Sequence, residues 1–220
     1  MTQFTETIYR LFQSHPSIST DTRNILPGSI FFSLKGEHFD GNKFASAALE
    51  RGSSYAIVDD LSVVKSDRFI LVEDTLKELQ SLATFHRNRF RIPLIAITGT
   101  NGKTTTKELI RTILEQKYRT VSTSGNLNNH IGVPLTLLKI TPESEIAIIE
   151  MGANHPGEID SLCRIANPGY GIITNIGRAH LEGFGSMEGV IKTKTELYRF
   201  LDKVGGTVFL NTNDLLLRKH

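Results

Sequence analysis

The chain has 220 residues, 39% hydrophobic and 22% charged, a composition that buries its own core without metal or disulfide staples. Lys+Arg 25 against Asp+Glu 23 leave a net charge of +2, which argues against nucleic-acid binding by bulk electrostatics; one cysteine, Cys163, excludes an internal disulfide and an all-cysteine zinc site. No apolar run approaches the roughly 20 residues of a membrane span, and the stretch from Met1 to Phe12, interrupted by Glu6 and Arg10, lacks a signal peptide's apolar centre, so a cytoplasmic chain without membrane insertion is expected.

The elements then follow in order. Glu6 to Gln13 reads as a short helix with Ile8, Leu11 and Phe12 on one side, stopped by Pro16. Ser19 to Arg23 is a polar stretch before the turn at Leu26-Pro27-Gly28-Ser29. Ile30 to Leu34 is a compact apolar strand, and Lys35-Gly36-Glu37 opens a loop. Phe44 to Arg51 is a helix closed by Gly52. Tyr55 to Val58 and Phe69 to Val72 are strands, and Asp74 or Thr75 caps a helix running to about Phe90. Pro93 marks a boundary, so residues 1–90 and 91–220 are expected to form two domains.

Beyond Pro93 strands and helices alternate. Strands are expected at Leu94–Thr98, Thr120–Ser122, Ile146–Met151, Tyr170–Ile176 and Thr207–Leu210. Helices are expected at Lys103–Gln116, at Pro156–Ala166 with proline in its first turn, and at Met187–Leu201. Such alternation implies βαβ units and a mostly parallel sheet. The fold class is therefore α/β: a small mixed domain followed by a nucleoside-triphosphatase-like parallel-sheet domain.

The strongest chemical signal is Thr98-Gly99-Thr100-Asn101-Gly102-Lys103-Thr104-Thr105-Thr106, which leaves a strand and opens a helix, as a phosphate loop must. Glycines let backbone N–H groups turn inward, and the helix N-terminus adds partial positive charge. Lys103 brings a point charge for phosphate and the Thr104 hydroxyl a ligand for Mg²⁺. The usual spacing G-x-x-x-x-G-K-[ST] would put a glycine at Ile97; here the first glycine is Gly99.

Gly99-Thr100-Asn101-Gly102-Lys103-Thr104 resembles the phosphate loop of the Mur ligases and of their relative folylpolyglutamate synthase, which use ATP to join an amine to a carboxylate. Further segments resemble the branch of that family joining D-alanyl-D-alanine to UDP-N-acetylmuramoyl-tripeptide. These are Ser19 to Arg23, Leu34 to Glu37, Gly125 to Asn129, Ile131 to Pro134, Glu150 to Asn154, and Ala179 to Gly185. The resemblance implies ATP, two Mg²⁺ ions and those two substrates, in a monomer whose full form has a UDP-binding, an ATP-binding and a C-terminal domain. On that reading the ATP-binding domain here is incomplete and the C-terminal domain lies outside the 220 residues, so that this chain would bind substrates but ligate poorly.

Several residues acquire expected roles. Glu150, at the C-terminal end of a buried strand, is placed to hold Mg²⁺ with Thr104. The resemblance assigns His180 to a second Mg²⁺ and implies a carbamylated lysine, Lys194 in preference to Lys192. Gly99, Thr100, Asn101, Gly102, Lys103, Thr104 and Thr105 form the nucleotide cradle, with Asn211, beside Asp214, near the adenine. Lys103, His180 and Lys194 are the expected catalytic set. Asn126, Asn128 and Asn129, amides suited to a polar ligand, are expected at the substrate, and Ser19, Thr22, Arg23 and Lys35 at its uridine diphosphate. Taken singly, these residue types also fit plain turns and solvated surface. Three other functions compete: a Mur-type ligase with a different amine, a phosphate-loop kinase or ATPase, and a non-catalytic nucleotide or UDP-sugar binder.

Overall fold

The computed structural model describes residues 4–177 and 181–219, without the side chain of Leu181. His180 therefore lies outside the described residues. The chain forms two compact units, residues 1–86 and 87–220.

The first unit opens with α1 (Thr5–Ser14), whose Ile8, Tyr9 and Phe12 are buried. Short β1 (Ile18–Ser19) and β2 (Ile30–Phe32) follow, then a small antiparallel hairpin of β3 (Lys35–Gly36) and β4 (Phe39–Asp40). After α2 (Ala45–Glu50) come β5 (Tyr55–Val58), β6 (Phe69–Leu71) and α3 (Thr75–Arg87). The four longer-range strands pair in parallel in the order β1-β2-β5-β6. Phe31, Ala45, Ala48, Leu49, Ala56, Val58 and Phe69 form a core between α2 and the sheet. On α1, Tyr9 meets the ring of Phe85 edge-on at 4.9 Å, joining the first helix to α3.

Arg87, the first residue of the second unit, is bound within that unit. Its buried guanidinium donates to the carbonyls of Phe90 (2.6 Å), Ala166 (3.0 Å) and Ile92 (3.1 Å).

The second unit contains β7 (Leu94–Thr98), α4 (Lys103–Leu114), β8 (Thr120–Ser122), α5 (Gly132–Leu137), β9 (Ile146–Glu150), α6 (Glu158–Ala166) and β10 (Tyr170–Ile173). Then come α7 (Leu181–Phe184), α8 (Met187–Lys194), α9 (Glu196–Val204) and β11 (Thr207–Phe209). The five strands are all parallel in the order β11-β10-β7-β9-β8. β9 reads Ile-Ala-Ile-Ile-Glu and is buried from Ala147 to Glu150, as a strand covered on both faces must be. Each fully buried Ile or Leu here contributes about 2 kcal/mol.

The strand expected at Tyr170–Ile176 ends at Ile173, Lys35–Gly36 forms a hairpin strand instead of opening a loop, and two helices differ. The helix expected from Met187 to Leu201 is interrupted at Thr195. There the threonine hydroxyl donates back to the carbonyls of Ile191 (2.8 Å) and Lys192 (3.2 Å), a local bond that opens a helical turn. Pro156 does not enter the first turn of its helix, because Gly157, left-handed at φ +87°, stands at the N-cap. Glu196 of α9 caps that end instead, accepting from the N–H groups of Gly157 (2.8 Å) and Asp160 (2.9 Å).

Candidate nucleotide and ligation site

The strand order decides where ligands gather. From β7 the chain steps over β9 to β8, returns to β9, and only later places β10 on the opposite side of β7. Winding therefore reverses at β7, and open parallel sheets bind ligands outside the carboxyl ends of strands at such a reversal. The loop leaving β7 is Gly99–Gly102, followed directly by α4.

Two glycines shape that loop. Gly99 sits at φ +144°, and a Cβ there would collide with the Thr174 hydroxyl. Gly102 sits at φ +76° as the N-cap of α4, a conformation that glycine adopts without strain. The first N–H groups of α4 have no partner within the helix and carry its positive end. The Lys103 ammonium folds over the loop, donating to the carbonyls of Gly99 (3.0 Å) and Thr100 (3.2 Å).

Glu150 ends β9 beside this loop and is buried. Thr104 Oγ1 donates to its Oε2 at 2.9 Å, and Asn128 Nδ2 donates to its Oε1 at 2.8 Å. Its own N–H donates to Thr123 Oγ1 at 2.9 Å. Two separate segments therefore converge on one carboxylate, and a third holds the backbone of the residue that bears it. Among the described residues no three His, Cys, Asp or Glu side chains cluster as a self-contained metal cage. A hydroxyl and one carboxylate beside a phosphate cradle are instead the donor set by which Mg²⁺ is held together with nucleotide phosphates, so the residues present fit that ion.

A cavity of about 590 Å³ opens beside the loop. Its walls include Gly99, Thr100, Lys103, Asn126, Asn128, Asn129 and Lys194. Lys194 is buried at the end of α8, with its ammonium 5.6 Å from the centre of the Phe184 ring. Burial, then the charge of Lys103, lowers its pKa to about 8, against the opposing pull of Glu158 and Glu196. Asn154 and Glu158 also line the cavity. The sequence reading did not single out Glu158. Its signal was the acidic residue next to Gly157 at a helix start, where it accepts from the N–H groups of Asn154 (2.6 Å) and His155 (3.0 Å).

Among the described residues, the other expected ones lie outside this cavity. Asn211 is exposed beyond the edge strand β11, and its Oδ1 accepts from the N–H of Asn213 (3.1 Å) in a local turn. Asp214 likewise accepts from the N–H groups of Leu216 and Leu217. Neither lines the cavity. In the first unit, Ser19 Oγ donates to the carbonyl of Asp21 (3.0 Å) and Thr22 opens a single 3₁₀ turn. Arg23 pairs with Asp21 at 2.6 Å and Lys35 with Asp59 at 2.8 Å, so the two cations belong to separate ion pairs.

Comparison with known proteins agrees with this geometry. Residues 97–220 match the Mur ligase middle domain, and residues 16–87 match the Mur ligase family catalytic domain. The chain is 43% identical over 202 residues to the UDP-N-acetylmuramoyl-tripeptide–D-alanyl-D-alanine ligase of Bacillus subtilis, covering 90% of this chain and 44% of the relative. It is 41% identical to the Escherichia coli enzyme of that name over 91% of this chain and 44% of the relative. Among solved structures, MurF from Thermotoga maritima, in complex with ADP, superposes with a TM-score of 0.82 at 32% identity, covering 100% of this chain and 49% of that one. MurF from Acinetobacter baumannii gives 0.79 at 37% identity, with 87% and 46% covered. The chain thus spans somewhat under half the length of these relatives. By its family match over more than half its length, and by a fold shared with these structures, the chain belongs to the Mur ligase family.

Proposed function

We propose that the chain is the nucleotide-handling part of an ATP-dependent ligase that joins D-alanyl-D-alanine to UDP-N-acetylmuramoyl-tripeptide. The observation that carries this reading is the convergence of Lys103, the Thr104–Glu150–Asn128 cluster and Lys194 around one cavity at the reversal point of the sheet. The relatives bearing that name supply the substrate choice, and the ADP complex of the Thermotoga maritima structure supports a nucleotide at the phosphate loop.

Hydroxide is a poor leaving group, so a free carboxylate does not condense with an amine unaided. In the proposed reaction, an oxygen of the tripeptide's terminal carboxylate attacks the γ-phosphorus of ATP, and the bond to ADP breaks. The amine of the dipeptide then attacks the acyl carbon, loses a proton, and expels phosphate. The N–H groups opening α4 and the Lys103 ammonium hold the phosphates and oppose the charge spreading over the transferred group. Before phosphates arrive, that ammonium rests on the Gly99 and Thr100 carbonyls, so it is already within the loop. Thr104 and Glu150 would hold Mg²⁺, whose chemistry is to neutralise phosphate charge. Asn126, Asn128 and Asn129 orient the polar substrate along the cavity wall. Lys194, with its lowered pKa, offers the neutral amine that carbamylation by CO₂ requires, and the resulting anion with His180 would serve a second Mg²⁺. In the first unit, Ser19, Thr22, Arg23 and Lys35 are the proposed contacts to uridine diphosphate, and Asn211 the contact to adenine. The same reading makes the protein a cytoplasmic monomer; no described helix is long and apolar enough to cross a membrane.

Calorimetry with a non-hydrolysable ATP analogue and with the UDP-linked tripeptide tests binding, and phosphate release dependent on D-alanyl-D-alanine tests turnover. Lys103→Ala is expected to weaken analogue binding by this chain and, in the full-length ligase, to lower phosphate release about 100-fold. Unchanged binding of the analogue by Lys103→Ala would overturn the reading.

A further inference from the structure

The phosphate loop has two halves that the structure treats differently. On its first half, the Thr100 N–H donates to the main-chain carbonyl of Asn175 (3.0 Å). The Asn101 N–H donates to Asn175 Oδ1 (3.1 Å), and Asn175 Nδ2 donates back to the Asn101 carbonyl (3.0 Å). That carbonyl also accepts from Thr174 Oγ1 at 2.6 Å. The Gly177 N–H donates to Thr100 Oγ1 (2.9 Å), and that hydroxyl donates to the Gly177 carbonyl (3.2 Å). Gly99 lets the two segments approach, since any Cβ there would meet Thr174. The loop following β10 thus takes up the backbone polar groups of Thr100 and Asn101 that would otherwise turn toward a ligand.

We propose that Asn175 is a positioning residue for the phosphate loop: its amide side chain locks the Asn101 peptide, so that phosphates are held by the N–H groups of Gly102, Lys103, Thr104 and Thr105 with the Lys103 ammonium. This rests on the phosphate-binding reading given above and narrows it. Gly99, Thr100 and Asn101 are then a brace, and the cradle is the first turn of α4. The physical basis is preorganisation. A loop already hydrogen-bonded in its binding shape loses less conformational freedom when the ligand arrives. A side-chain amide is the group that can satisfy both backbone polar atoms of one residue at once. The brace also ties the loops after β7 and β10 together across the reversal point.

Two measurements on the 220-residue chain test this. Amide hydrogen exchange of Asn101 should quicken about 10-fold or more in Asn175→Ala, while exchange within β7 and β9 stays as in the wild type. Asn175→Asp keeps an oxygen for the Asn101 N–H and should restore its slow exchange. Calorimetric titration with ADP should show about a 10-fold weaker Kd for Asn175→Ala, equivalent to about 1.4 kcal/mol. Asn101 exchange unchanged in Asn175→Ala, or ADP affinity unchanged despite faster exchange, would each overturn the proposal. So would faster exchange spread through the whole sheet, which marks a merely structural role. Failure of the wild-type chain to bind ADP defeats the nucleotide reading itself, and the Asn101 exchange then still decides whether the brace exists.

Discussion

The two units are both built on parallel sheets, and each collects polar groups on one carboxylate at a strand end, but only the second sets a glycine-shaped phosphate loop beside it. In the first unit the order β1-β2-β5-β6 advances in one direction. There Arg23 pairs with Asp21 on the surface, while the largely buried Asp59 accepts from Lys35 Nζ (2.8 Å), Asn42 Nδ2 (2.7 Å) and the Thr75 N–H (3.4 Å). In the second unit the order β11-β10-β7-β9-β8 reverses at β7. The loops after β7, β8, β9 and β10 then meet, and polar side chains bond across segments: Thr104 and Asn128 to Glu150, and Asn175 to Asn101. Strand-end acids thus gather partners in both units, and what the reversal at β7 adds is the placement of a phosphate loop and the first turn of α4 beside the acid.

The sharpest way to break this contrast is Gly99→Ala. It forces an alanine to φ +144° and its Cβ into Thr174, so strain and overpacking act together at the reversal point. We expect a stability loss of about 2–4 kcal/mol in urea unfolding. Nucleotide affinity should fall at least as far as in Asn175→Ala; a variant of wild-type stability and affinity would show that the close approach is not needed.

A smaller effect concerns Lys194. Its folded-state pKa of about 8 lies below the ordinary 10.5. Between these values the unfolded chain binds more protons than the folded one, so stability rises with pH through that window. Below about pH 8 both states are protonated and the burial penalty is fully expressed. Urea midpoints measured from pH 7.5 to 10 should therefore rise at the alkaline end by an amount that Lys194→Met removes. Identical pH profiles for the two proteins would contradict the assigned burial of this amine.

The smallest expected effect belongs to the first unit. Arg23 is largely exposed and its pair with Asp21 spans only two residues. Arg23→Ala should leave stability essentially unchanged, as for an exposed ion pair, and ADP affinity untouched. Its effect should appear only in titration with the UDP-linked tripeptide, as weaker binding. A change in ADP affinity would instead link the first unit to the phosphate loop.

Much of this architecture was legible before any coordinates. Leu94–Thr98, Thr120–Ser122 and Tyr55–Val58 form strands over the expected residues, because short β-branched runs bounded by turn residues have few other outcomes. The phosphate loop was equally clear, since Gly102-Lys103-Thr104 after a strand restricts backbone shape locally. Less visible were features made by distant partners. The interruption at Thr195 breaks no apolar periodicity. The start of α6 depends on Glu196, some forty residues further along in round terms, and so escaped a reading that placed Pro156 inside the helix. The short strand β1 and helix α5 also passed unnoticed, being two and six residues long.

What the sequence by itself determined is the local chemistry: a phosphate loop at a strand-to-helix turn, an acid at the end of a buried strand, an amide-rich loop, and a near-neutral charge that argues against binding by bulk electrostatics. Only the tertiary structure decided which of these meet. It brought Asn128 to Glu150 and Lys194 to the cavity of Lys103, left Asn211 in an outlying turn, and set Asn175 against Asn101. Hydrophobic periodicity specifies which face of an element is buried, but strand order arises from packing the whole sheet. The convergence of loops is therefore a property of the assembled fold and not of any one segment.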